Sequence, residues 1–199
     1  MNRPKTLLEL AGASLAPASL SEAVFIIIDA QGEYRDGALP LPGIGPALEA
    51  IAALLERARS ARTPIVHVAH KGRQGGLFDR EGPGGRFLGE VAPLADETII
   101  EKTLPNSFAG TRLKETLDAI GCGKLILAGF MTHMCVSATA RAALDLGYLP
   151  TIAADGVATR DLPDPLTGET VPAAAIHAAS LAALADRFAI VVRDEAIPD

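Results

Sequence analysis

Six short apolar runs rich in isoleucine and valine recur along this chain, and their spacing constrains the fold more than any other feature. They fall at 24–28, 64–68, 98–100, 124–128, 150–153 and 188–192. Continuous apolar character of this kind reads as strands covered on both faces. Helical spacing occupies 46–62, 110–120, 136–146 and 173–185, between several of the runs. Pro46 opens the first of these in the first turn, where a missing N–H costs little. Ala47, Leu48, Ile51, Leu54 and Leu55 then mark one face. Gly121 and Gly147 follow two of the others as left-handed caps. Strands alternating with helices predict an α/β fold: a doubly wound, six-stranded, mostly parallel sheet in a Rossmann-like three-layer sandwich, with right-handed crossovers.

No internal repeat or linker interrupts the 199 residues, so one domain over 1–199 is expected, with 1–21 as a peripheral segment. A hydrophobic content of 49% excludes a disordered chain. No apolar stretch is long enough to span a bilayer. The run at 7–20 is broken by Glu9 and Pro17, so it is not expected to be a signal peptide. A net charge of −6 without a Lys/Arg cluster argues against a nucleic-acid partner. The absence of tryptophan leaves few platforms for base stacking. Cys122 and Cys135 form neither a disulfide framework nor a zinc spacing. Cys122, in a Gly-Cys-Gly turn, reads as incidental, and a free thiol fits a reducing cytoplasm.

Cys135 closes the passage Leu125-Ile126-Leu127-Ala128-Gly129-Phe130-Met131-Thr132-His133-Met134-Cys135. A thiol there, at the start of a predicted helix, meets the positive end of the helix dipole and free backbone N–H groups. Both are expected to favour thiolate, and the N–H groups can also hold an oxyanion. The alternative is a buried structural cysteine. Asp29 ends the run at 24–28, and Lys102 ends the run that begins at Thr98. All three side chains therefore map to the C-terminal edge of the predicted sheet, where ligands bind in open parallel sheets. They supply a nucleophile, a carboxylate base and a cation. Two irregular stretches, 70–97 and 155–172, follow strand ends and overhang that edge as lids, specificity loops or plain insertions.

Asp29-Ala30-Gln31, Lys102-Thr103-Leu104-Pro105-Asn106-Ser107-Phe108 and the Gly129 to Val136 segment, followed by Thr139-Ala140-Arg141-Ala142-Ala143-Leu144-Asp145-Leu146-Gly147-Tyr148, resemble the signature segments of the isochorismatase-like cysteine hydrolases. Order and spacing agree over about residues 22–193. The resemblance implies hydrolysis of a C–N bond in a small amide, ureide or carbamoyl compound through an acyl-thioenzyme. Asp29, Lys102 and Cys135 would be catalytic, and the backbone N–H groups of Met131 and Cys135 would form the oxyanion hole. It also implies a non-proline cis peptide between Phe130 and Met131, no cofactor, and a homodimer or homotetramer.

Candidate substrate contacts are Gln31, Tyr34, His70, Phe108, Thr132 and His133, each of which also has a plain packing or turn role. Metal-dependent nicotinamidases of the family carry Asp-x-His after the second strand, whereas this chain reads His67-Val68-Ala69-His70. A metal held by His67, His70 and Asp79 is the alternative, with a structural role as the default for His67 and no metal expected. Asp155 is expected to end the fifth strand and cap a turn. Two further functions compete with the amidohydrolase: vinyl-ether hydrolysis of the isochorismatase type, which needs no cysteine at this position, and a binding protein that kept the fold and lost catalysis. The complete Asp–Lys–Cys set favours the first.

Overall fold

Every neighbouring pair of strands in the main sheet is parallel. The computed structural model describes residues 3–199. Its strands are β1 (Val24–Ile28), β2 (Ile65–His70), β3 (Thr98–Lys102), β4 (Lys124–Phe130) and β5 (Leu149–Ala158), then a short hairpin of β6 (Leu162–Pro163) and β7 (Thr170–Val171), then β8 (Ile190–Val192). The main sheet runs β3-β2-β1-β4-β5-β8, the doubly wound α/β arrangement expected from the alternating pattern. Helices α1 (Leu7–Leu10), α2 (Ile44–Ala61), α3 (Leu113–Ile120), α4 (Ser137–Asp145) and α5 (Ala173–Arg187) complete the secondary structure.

β1 shows why the apolar runs carry no polar alternation. Phe25 and Ile27 enter one apolar cluster with Ile51, Leu54 and Leu55 of α2. Val24, Ile26 and Ile28 enter a second with Leu113 and Leu117 of α3 and Ala140 and Ala143 of α4. A central strand clothed by helices on both sides has no solvent face, so all its side chains must be apolar. Each fully buried isoleucine contributes about 1.5–3 kcal/mol. α2 ends at Arg62, in the left-handed conformation with φ 59°.

β5 departs from expectation. Its register passes from Leu127–Ile152 to Gly129–Val157, so the strand bulges over residues 153–156 and continues to Ala158. Asp155 therefore lies inside the strand and does not end it. From the bulge its N–H donates to Asp194 Oδ1 (3.0 Å), and its Oδ2 accepts from the Asp194 N–H (3.1 Å), which ties down the C-terminal turn. The stretch at 155–172, expected to be loop, is in fact the end of β5 plus the hairpin. The 70–97 stretch holds two 3-10 turns, Pro83–Gly85 and Gly89–Val91, the second of which buries its own Val91. At the opposite end of the molecule, the capping box of Thr6 and Glu9 opens α1, and the Leu7 N–H docks it on Asp186 Oδ1 at 2.8 Å.

Candidate active site

Asp29 follows the last residue of β1 with φ 51°, in the left-handed region that aspartate tolerates better than most side chains. Its N–H donates to Val68 O at 2.8 Å, which fixes the strand end. Next to it, Gly129 of β4 adopts φ +111°, and a Cβ there would lie 2.0 Å from Ile28 O. Only glycine lets β4 pass so close to the end of β1. Lys102 ends β3 opposite His70 of β2. Its Nζ lies 2.6 Å from Asp29 Oδ2, 3.3 Å from Cys135 Sγ and 3.4 Å from His70 Nδ1. The Asp29 contact is close but poorly aligned, and neither carboxylate oxygen receives a well-directed hydrogen bond. Relative exposures of 0% for Asp29, 2% for Lys102 and 4% for Cys135 put the whole cluster out of bulk water, where charges act strongly on one another.

The cysteine is delivered by a tight turn. β4 stops at Phe130, the Phe130–Met131 peptide is cis, and Thr132–Val136 forms one π-helical turn that runs into α4. Met134 and Val136 donate their N–H groups to Met131 O at 3.0 and 3.2 Å, closing the turn on that carbonyl. The Met131 N–H donates to no backbone or side-chain acceptor among the described residues, and that of Cys135 to none outside its own turn.

Burial pushes the Cys135 thiol up to about 12, the Asp29 charge adds to the rise, and Lys102 opposes it. The expectation that the helix start favours thiolate is therefore corrected. Desolvation and a neighbouring carboxylate both disfavour the charged sulfur here. Burial also raises Asp29 above its ordinary value, against the pull of Lys102. The thiol is thus held protonated at rest, beside an Asp29 whose basicity burial enhances. Burial, then Lys102, holds His70 below the usual histidine range, so its imidazole is neutral at pH 7.

The model of the isochorismatase domain matches residues 23–196, nearly the whole chain. The chain belongs to the isochorismatase family. A secreted isochorismatase effector of Verticillium dahliae is 38% identical over 187 residues, covering 94% of this chain and 95% of its own. A streptothricin hydrolase of Streptomyces noursei is 37% identical over 174 residues, 87% of this chain and 63% of that longer protein. The crystal structure of an isochorismatase from Pseudomonas putida KT2440 superimposes with a TM-score of 0.93 at 46% identity, covering 98% of this chain and 100% of that one.

Beyond the central trio, this isochorismatase-family chain sorts the six expected substrate contacts by what they touch. His70 joins the cluster through Lys102. Gln31 is fully buried and commits its amide to the protein: Oε1 accepts from the His70 N–H (2.8 Å), and Nε2 donates to His70 O (3.0 Å) and Gly85 O (2.7 Å). It locks the β1 end to the β2 end and to the 70–97 stretch. Tyr34 packs edge-on against Phe78 and Phe130, with ring centroids 5.1 and 5.8 Å away. Burial, then the charges of Asp29 and Cys135, raises its phenol far above the tyrosine norm. Thr132 is buried against His177 Nδ1 of α5 (3.0 Å), and His133 Nδ1 meets Thr159 Oγ1 at 2.5 Å. Phe108 is turned to another use, stacked on Tyr148 with centroids 5.8 Å apart.

His177, Thr159 and Arg160 were not among the expected residues, although all three surround the catalytic turn. For Thr159 and Arg160 the signal was the apolar pair Val157-Ala158 beyond Gly156, which extends β5 to the sheet edge, whereas His177 lies on α5 and meets the turn only through the tertiary fold. Among the described residues, no three His, Cys, Asp or Glu side chains are grouped to hold a metal. His67 Nε2 pairs with Glu97 Oε2 (2.9 Å), and Asp79 accepts the N–H groups of Gly75 and Glu81, so these two and His70 have separate duties. No helix among the described residues is long and apolar enough to cross a membrane.

Proposed function

We propose that this protein is a cysteine-dependent amidohydrolase cleaving a C–N bond in a small amide, ureide or carbamoyl compound. The observation that carries the reading is the position of Lys102 Nζ, 2.6 Å from Asp29 Oδ2 and 3.3 Å from Cys135 Sγ, in a site closed to bulk water. Asp29, its basicity raised by burial, takes the thiol proton as sulfur attacks the carbonyl carbon. Lys102 then stabilises the thiolate that burial alone disfavours. The backbone N–H groups of Met131 and Cys135 receive the oxyanion. Collapse of the tetrahedral intermediate expels the amine, which takes the proton back from Asp29. Water, deprotonated by Asp29, hydrolyses the acyl-thioenzyme and restores the thiol. Neutral His70 lines the site without adding charge.

Vinyl-ether hydrolysis is the second reading, favoured by the family name of the relatives. The contact of Cys135 with Lys102 counts for the first, since the ether reaction leaves that thiol without work. The assembly expected as a dimer or tetramer finds support in α5, whose Ala174, Ala178 and Ala182 are exposed without charge between them. The free thiols Cys122 and Cys135 support a reducing compartment. Ammonia release from a panel of small amides, ureides and carbamoyl compounds tests the main reading, with Cys135→Ala as control. Release by the parent and not by the variant is expected. Equal release by both would remove the thiol from the reaction.

A further inference from the structure

α5 turns an apolar stripe toward the second apolar cluster. Leu184 is fully buried there, and Leu181 packs against the same cluster. One turn before Leu181 the stripe carries His177, at a position where an aliphatic side chain would serve packing alone. A histidine so placed needs a polar partner. It meets Thr132, whose Oγ1 lies 3.0 Å from His177 Nδ1 and whose side chain is fully buried. Burial holds the ring below the usual histidine range, so at pH 7 it is neutral and its Nδ1 accepts a hydrogen bond from the hydroxyl. The ring also lines an open cavity beside Thr159, which leaves Nε2 to water. The start of α5 is itself tied down, because Asp161 Oδ1 accepts the Ala173 N–H at 2.7 Å.

Thr132 is the residue after Met131. On the other side of Met131, Phe130 is held in register with Ala158 of β5. Met131 O is occupied by the N–H groups of Met134 and Val136, and Thr132 O accepts from the Ser137 N–H at the start of α4. The Met131 N–H has no acceptor among the described residues, so no bond of its own fixes its direction. That direction is set by its two neighbours, Phe130 through the sheet and Thr132 through α5. A donor stabilises an oxyanion only if it already points to where the charge develops. A misplacement of about 1 Å costs on the order of a hundredfold in rate.

We propose that His177 is a positioning residue, which holds Thr132 so that the Met131 N–H is aimed at the oxyanion. The proposal rests on the amidohydrolase reading and deepens it. Its test measures kcat and KM on the small amide that the parent cleaves fastest. His177→Leu is expected to lower kcat about tenfold to a hundredfold, with KM little changed, because the oxyanion forms only on the way through the transition state. Thr132→Val is expected to lose as much, and the double variant no more than either. His177→Asn, whose side-chain amide reaches the place of Nδ1, restores most of kcat. Leu181→Ala loosens the same stripe without touching the bond, so it lowers Tm and leaves kcat in place. Equal losses in His177→Asn and His177→Leu, additive losses in the double variant, or an equal fall in Leu181→Ala overturns the proposal. If the parent cleaves no amide, the failure belongs to the hydrolytic reading, and the positioning is judged on the free protein. The chain holds only three methionines, so isotopic labelling of methionine nitrogen isolates the Met131 amide signal by NMR. Displacement of that signal in both His177→Leu and Thr132→Val, with its return in His177→Asn, upholds the proposal, and any other pattern overturns it.

Discussion

Lys102 Nζ lies 2.6 Å from Asp29 Oδ2 with both side chains removed from solvent. Such a pair repays its desolvation only while both members are present. Lys102→Met strands a buried carboxylate and is expected to lower stability by about 3–5 kcal/mol, read by urea denaturation, and to abolish turnover. The double variant Asp29→Asn/Lys102→Met leaves no charge behind. Its loss is expected to be smaller than the sum of the two single losses. Additive losses would show that the two groups do not interact.

The raised basicity of Asp29 sets the acid limb of activity. Turnover requires the ionised carboxylate, so it rises with pH through the folded-state value of Asp29. That midpoint is expected above the ordinary carboxylate range, because burial lifts the group. A kcat/KM profile from pH 3 to 9 checks it. A midpoint at or below 3.8, the unperturbed value, would assign the base elsewhere.

Alkylation separates the thiol's ionisation from its catalysis. With Cys135 pushed up to about 12, iodoacetamide is expected to label it slowly at neutral pH, and faster as pH rises. The Asp29 charge contributes to that elevation, second to burial. Asp29→Asn should therefore label about tenfold faster, one pKa unit's worth, while its turnover falls. Slower labelling in the variant would mean that Asp29 assists thiolate formation in the free protein.

Glu97 lies under the edge of the sheet, away from the chemistry. Burial raises it, but the Arg59 guanidinium, the Leu94 N–H and His67 together outweigh burial and bring it to about 2 from 4.5. A depressed folded value adds stability that is complete above pH 4.5 and fades as pH falls through 2. The expected contribution is about 2 kcal/mol after allowance for partial screening. Denaturation of the parent and Glu97→Gln at pH 7 and pH 2.5 checks it. The gap between them should narrow at the lower pH.

At Gly129, alanine meets both a left-handed φ and the Ile28 carbonyl. Gly129→Ala is expected to cost more than about 3 kcal/mol, visible as a fall in Tm, and to reduce turnover by shifting the ends of β1 and β4. An unchanged Tm would show that the strands separate freely.

The sequence was most legible where burial on both faces forces unbroken apolar runs. β1 and β4 begin at the expected residues, and the sheet is the one the alternation predicts. Asp29, Lys102 and Cys135 were legible because strand ends of a parallel sheet must converge on one edge. β5 was truncated because Asp155 and Gly156 look like a loop, whereas the bulge simply lifts them out of register. Arg160 was hidden by the same error. The ionisation of Cys135 was misjudged for a different reason. A helix start is visible in sequence, but the depth of a sulfur and its distance from a carboxylate belong to the tertiary structure. Phe108 sits beside a signature lysine segment, yet its partner Tyr148 lies across the second apolar cluster, beyond the reach of local pattern.

Lys102 comes from the outermost strand on one side, and Cys135 from the turn after a strand on the other side of β1. Neither strand touches the other, and β2 and β1 must both be seated before the ammonium can meet the sulfur. Half-assembled forms of this chain thus keep the ammonium and the sulfur apart, with no catalytic set formed. Catalytic competence is therefore a property of four adjoining strands and of no single one of them.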